Sequence, residues 1–316
     1  MTRKPKRQPD NPTAKSILKT LKTICTLSGQ RPNVVWDDFL LITEAELQRL
    51  PDNVKAIAAT GRPTEDPPEI KRAYAQIRTR YRPRLADAWR CFSEAFCQLT
   101  EVTDSGLWSA TTPTGLSGPD ILGDIYQSWS NIDPSWAGQY FTPWPVALMM
   151  ARLLVPHGER EIFDRIKKAL LHGANQLGQA LLLAGMAIPD DDALFARDYF
   201  FNRVLPAAMP FYDPLTVNEP AVGSGIMLLA AASTFPEWAV KLGLVRFTGQ
   251  DLDQTCVRMT SINCMLYGLN GYGVRLSQSA AESVAVVNQQ EVEKTQLVKH
   301  VKQYANSLRD DLNRTA

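Results

Sequence analysis

The sequence predicts an α/β fold: an open, Rossmann-like sheet preceded by a helical N-terminal domain. Three observations predict it. Residues 215–226, LTVNEPAVGSGI, read as a short strand ending at Asn218-Glu219-Pro220, a turn with Gly223 and Gly225, and the start of an apolar helix. Residues 245–249, VRFTG, read as a second strand that runs into Gln250-Asp251-Leu252-Asp253. Residues 13–103 carry mainly helical periodicity. Strand, glycine turn and helix in that order build the crevice beyond the carboxyl ends of the strands in an open α/β sheet.

Composition bounds the possibilities. A chain of 316 residues that is 45% hydrophobic can bury a large core in one or two domains. Its net charge of +1 confines any nucleic-acid contact to local patches. The five cysteines (25, 91, 97, 256, 264) form no C-x-x-C pair, and only His157, His172 and His300 accompany them. Such a set argues against a zinc site and reads as reduced core thiols. No apolar run reaches membrane length, and the basic N-terminus has no apolar segment behind it. A soluble, cytoplasmic protein is expected.

Taken in order, residues 1–22 form a basic, flexible tail, with seven Lys and Arg against Asp10. Pro5, Pro9 and Pro12 deny it a helix until about Lys15. The tail is either an arm for phosphate backbone or a solubilising terminus. A helical domain, 23–119, follows. It is broken at Glu65-Asp66-Pro67-Pro68, beyond which a helix carries Lys71, Arg72, Arg78, Arg80, Arg82 and Arg84. Tyr74, Ile77 and Tyr81 give that helix a packing face. Arg78, Arg80 and Arg82 are the candidate DNA contacts, against the alternative of a solvated charged face.

Residues 120–290 form the sheet domain. Residues 120–127, DILGDIYQ, open a short helix. Thr142-Pro143 reads as an N-cap and first helical residue, followed by a stripe of Val146, Met149, Met150, Leu153 and Leu154. Residues 158–187 are helical, and 199–211 are too irregular to assign. The glycine turn lacks the third glycine of the dinucleotide fingerprint, because Leu228 stands there, which argues against NAD or FAD. Asp251, at the end of the second strand, stands where a ribose diol is held. Asp253 caps the next helix or makes a second ligand contact. In that helix Met259, Ile262, Met265, Leu266 and Leu269 form one apolar arc. Residues 291–316 read as a C-terminal helix.

Two separated stretches carry a family resemblance. Residues 120–127 together with Gly138-Gln139-Tyr140-Phe141-Thr142-Pro143 resemble the D-x-L-G-x-x-Y … G-Q-[FY]-[FY]-T-P segment of adenine-N6 DNA methyltransferases. The similarity is to the branch of type I restriction–modification M subunits and their mobile-element relatives. Glu219-Pro220-Ala221-Val222-Gly223-Ser224-Gly225 is similar to that family's [DNE]-P-A-x-G-x-G loop for S-adenosylmethionine. The match spans about residues 115–280, and some seventy residues between the two stretches imply an inserted helical element.

The resemblance implies a methyltransferase sheet and a cofactor site made of Tyr140, Phe141, Thr142 and Pro143, of Glu219, Pro220, Ala221, Gly223 and Gly225, and of Asp251 with Asp253. It implies DNA as substrate, and a specificity or second methyltransferase subunit as partner. The family's catalytic [DNS]-P-P-[YFW] tetrapeptide, which holds the flipped adenine, is absent. Asn288, after the strand-like residues 283–287, stands nearest to its place. The expected function is S-adenosylmethionine-dependent adenine-N6 methylation of DNA. The alternative is a catalytically inactive DNA-binding or assembly subunit that retains the pocket.

Overall fold

The computed structural model describes residues 9, 11–82, 84–103, 107–108, 118–129, 141–189 and 192–271. The fold is mostly helical, with one small parallel sheet. Tyr140, Asn288, residues 1–8 of the tail and the expected C-terminal helix lie outside the described residues.

Four helices open the chain: α1 (Pro12–Ser28), α2 (Pro32–Thr60), α3 (Pro68–Arg80) and α4 (Leu85–Thr103). Asn11 caps α1 by accepting from Thr13 N–H at 2.8 Å, with Pro12 at the first helical position. Gly29, at φ 69°, closes it in the left-handed conformation that costs glycine nothing. Helix α3 ends at Arg80, so Arg82 and Arg84 lie beyond it.

Next come α5 (Ile121–Trp129), α6 (Trp144–Leu154), α7 (Gly158–Leu170) and α8 (Gln176–Gly185). The irregular stretch resolves into α9 (Ala193–Tyr199), a π turn (Phe200–Val204), α10 (Leu205–Ala208) and a 3-10 turn (Met209–Phe211). The π turn adds a residue to each hydrogen-bonded ring and so breaks the 3.6-residue period. The sheet segment is β1 (Leu215–Glu219), α11 (Ile226–Ala232), α12 (Glu237–Lys241), β2 (Val245–Gly249) and α13 (Gln254–Leu266).

Two readings of α6 need correction. Thr142 is not its cap. Pro143, at ψ 140°, takes that position, and its carbonyl accepts from Val146 N–H at 2.9 Å and Ala147 N–H at 3.1 Å. The expected stripe also faces outward: Leu153 is 74% exposed and Met149 56%. The buried face is Trp144, Ala147 and Ala151. It packs on α11, which is rich in alanine, so small residues on both helices allow a close approach.

Two cores result. One surrounds the sheet and joins α6, α7, α10 and α11 to β1 and β2. The other fills the N-terminal helices, and α5 and α13 belong to it through Ile121, Leu122, Ile125, Met259, Ile262 and Met265. Helix α13 therefore leaves the sheet and buries Met259, Ile262 and Met265 against the N-terminal helices, chiefly α2, while Leu269 of the expected arc lies beyond the helix in the sheet core. An ion pair between Arg258 and Glu44, at 2.9 Å, spans the same contact.

Candidate functional site

Strands β1 and β2 run parallel in the register Leu215↔Val245 to Glu219↔Gly249, so both leave the sheet at one end. There Gln250 N–H donates to Glu219 O at 3.0 Å and Val222 N–H to Gln250 O at 2.8 Å. The chain after β1 thus stays laced to the chain after β2. The turn then bends through Gly223, at φ 56°, and Gly225, at φ 97°. Both lie in the region that a side chain would strain.

Asp251 joins the two segments. Its Oδ2 accepts from Gly223 N–H at 2.9 Å, and its Oδ1 accepts from Asp253 N–H at 2.9 Å. Asp253 caps α13 by accepting from Thr255 N–H at 2.8 Å. Glu219 Oε1 accepts from Ala221 N–H at 3.0 Å, and Val222 O accepts from Gly225 N–H at 2.9 Å. The amides of residues 221, 222, 223 and 225 are therefore all engaged within the protein. A ligand at the turn meets those four N–H groups already engaged. Asp251, half-buried, has used one acceptor direction on each oxygen, and a carboxylate has about four. Two remain for hydroxyl groups.

An aromatic pair packs against the turn. A Cβ on Gly223 would sit 3.2 Å from the Phe141 ring. Phe141 stacks on Tyr126 with centroids 5.8 Å apart at 23°, and Tyr126 O–H donates to Asp253 Oδ2 at 3.4 Å. Burial, and next the Asp253 charge, push the Tyr126 phenol up. Thr142 is half-buried and Pro143 exposed at the head of α6; Pro220 and Ala221 are exposed. Phe141, Gly223, Asp251 and Asp253 thus come together from three separate stretches of the chain.

Several residues here escaped the sequence reading. Leu252, between the two aspartates, is 107% exposed and offers a free apolar side chain beside Asp251. Tyr126 was legible as the tyrosine of the D-x-L-G-x-x-Y stretch, but its contacts with Phe141 and Asp253 were not. Beneath the turn lies a buried polar cluster. Asp120, 2% exposed, accepts from Gly123 N–H at 2.9 Å, from Asn263 Nδ2 at 3.1 Å and from the Ser224 hydroxyl. Burial raises its carboxyl above the usual range, against those three hydrogen bonds. Only the D-x-L-G spacing hinted at it.

A cavity of ≈ 580 Å³ runs along the outer edge of β1, between Thr216, Asn218 and Met227 on one side and Leu154 and His157 on the other. Of the described candidate site residues, Glu219 alone lines it.

The structure divides the three candidate DNA contacts. Arg78 and Arg82 are exposed, with no ion pair among the described residues. Arg80 instead pairs with buried Asp38, which also accepts from Tyr81 O–H at 2.7 Å. Arg80 thereby fastens α3 to α2. Lys71 pairs with Glu65, and Arg84 with Asp87 at 3.8 Å.

Among known proteins, the family model for N-6 DNA Methylase matches residues 208–298. No curated protein and no solved structure matches the chain. The matched segment contains β1, the glycine turn, β2, Asp251 and α13, and it leaves out Phe141 and Asp120.

Proposed function

We propose that this chain, whose residues 208–298 belong to the N-6 DNA methylase family, binds S-adenosylmethionine between Phe141–Pro143 and the Gly223–Gly225 turn. Strands β1 and β2 are then the described part of a Rossmann-like methyltransferase sheet. The observation that carries the reading is the 2.9 Å bond from Gly223 N–H to Asp251 Oδ2. It sets a glycine turn beside a carboxylate that still has acceptor directions to spare, against an aromatic pair. Asp251 would accept from the ribose hydroxyls, and Leu252 would cover an apolar face of the ligand. Gly223 keeps the space that a Cβ would fill. The cofactor supplies an activated methyl group; the residues of the crevice bind and orient it. DNA adenine-N6 is the acceptor in this reading, and the setting is a restriction–modification or mobile-element system in the cytoplasm.

A second reading has its own support. No [DNS]-P-P-[YFW] tetrapeptide occurs, and the Asp66-Pro67-Pro68 run places Glu69 where the aromatic would stand. That run lies at the entry to α3, with Asp66 paired to Arg49 at 2.5 Å. Adenine extrusion needs stacking and acceptors for its edge, and Asn288 alone offers one carbonyl. The alternative is a DNA-binding or assembly subunit that keeps the cofactor pocket and depends on a specificity or second methyltransferase subunit. The test is transfer of tritiated methyl to DNA by the purified chain. Cofactor binding with little or no incorporation supports the subunit reading. Robust incorporation that Asn288→Ala abolishes makes the chain a complete enzyme with residue 288 in its catalytic loop.

A further inference from the structure

We propose that Asp120 is the positioning residue of the glycine turn, holding Ser224 from outside the segment that the family model matches. The inference rests on the turn being the S-adenosylmethionine site. Ser224 lies between the two left-handed glycines and is fully buried, with its hydroxyl directed inward to Asp120 Oδ2. Asn263 Nδ2 donates both to Asp120 Oδ1 at 3.1 Å and to Ser224 O at 2.8 Å. Thr260 O–H fixes Gly223 O at 2.9 Å. Hydroxyl and carbonyl of Ser224 are thus held at once, the first by Asp120 and the second by Asn263.

The cluster is closed around a glycine of α5. A Cβ on Gly123 would lie 2.1 Å from Asp120 Oδ2 and 2.7 Å from Ser224 Oγ, so no side chain fits there. Helix capping alone does not require burial, since exposed Asp caps as well. A carboxyl placed in the interior costs desolvation, which well-made hydrogen bonds offset. Here the geometry fixed is that of residue 224. The cluster thereby ties the turn to α5 and α13, and Tyr126, six residues after Asp120, stacks on the Phe141 ring that lies against Gly223.

Amide hydrogen exchange on the cofactor-free chain tests this, beside calorimetric titration with S-adenosylmethionine. Asp120→Ala should speed exchange at Gly223 and Gly225 while leaving α1 unchanged, and weaken cofactor binding about tenfold or more. Asp120→Asn keeps acceptor and shape and should restore most of both. Ser224→Ala removes only the hydroxyl and should reproduce the effect, and Asp120→Ala with Ser224→Ala should add little. Should Asp120→Ala not fold, Ser224→Ala and Asp120→Asn carry the same readouts. Unchanged exchange at Gly223 and Gly225, or acceleration equal to that in α1, overturns the proposal. A wild-type chain that binds no cofactor refutes the site reading alone, because the exchange pattern still decides the role of Asp120.

Discussion

Asp120 shows how a single buried carboxyl couples the site to pH. Burial raises its pKa, so the folded chain holds this proton more tightly than the unfolded chain. Its contribution to stability is complete below the unfolded value of about 3.9 and is lost as pH rises through the folded pKa. Asp120→Asn keeps the shape and cannot ionise. The melting temperature of this variant should therefore gain on wild type as pH rises from about 4 to about 7; a difference that stays constant over that range contradicts the assignment. The sequence showed Asp120 as the opening of a helix and as the first residue of the D-x-L-G-x-x-Y stretch, with nothing to say what it holds. Its partners Ser224 and Asn263 lie 104 and 143 positions away, beyond any local pattern. Gly223, Asp251 and Asp253 were legible because strand ends and caps write themselves in neighbouring residues.

At the scale of elements, both strands, the helix after the turn and the capped helix α13 follow from short-range pattern, and the structure contains all of them. Helix α6 was legible as a helix and misread as to face. It is apolar on two sides, so periodicity alone assigned the larger side chains to the interior. Packing on the alanine-rich α11 selected Ala147 and Ala151 instead. Leu153→Gln, on the exposed side, should change stability by no more than about 0.5 kcal/mol. Ala151→Leu should cost about 1–3 kcal/mol by overpacking. Chemical denaturation measures both; the reverse order would return the large stripe to the core.

Across the whole molecule, the N-terminal helices are fastened to the sheet segment by α13, and Arg80 is set apart from Arg78 and Arg82 by its ion pair with Asp38. Arg80→Ala should lower stability by about 1–3 kcal/mol, because buried Asp38 loses its ion pair and keeps only Tyr81. Charge reversal at Arg78 and Arg82 should leave the melting temperature nearly unchanged. It should also weaken DNA binding and flatten its salt dependence, by about 0.9 in log–log slope for each phosphate no longer neutralised. An unchanged slope would exclude Arg78 and Arg82 as DNA contacts. The central claim, a cofactor crevice between Phe141 and the Gly223–Asp251 pair, meets its most direct test in calorimetric titration of S-adenosylmethionine into the full chain and its Asp251→Ala variant. Saturable binding at one site is expected. The variant should bind more weakly by about 1.5–3 kcal/mol, the worth of a charge-assisted hydrogen bond. No heat of binding in wild type, or equal affinity in the variant, would contradict the account.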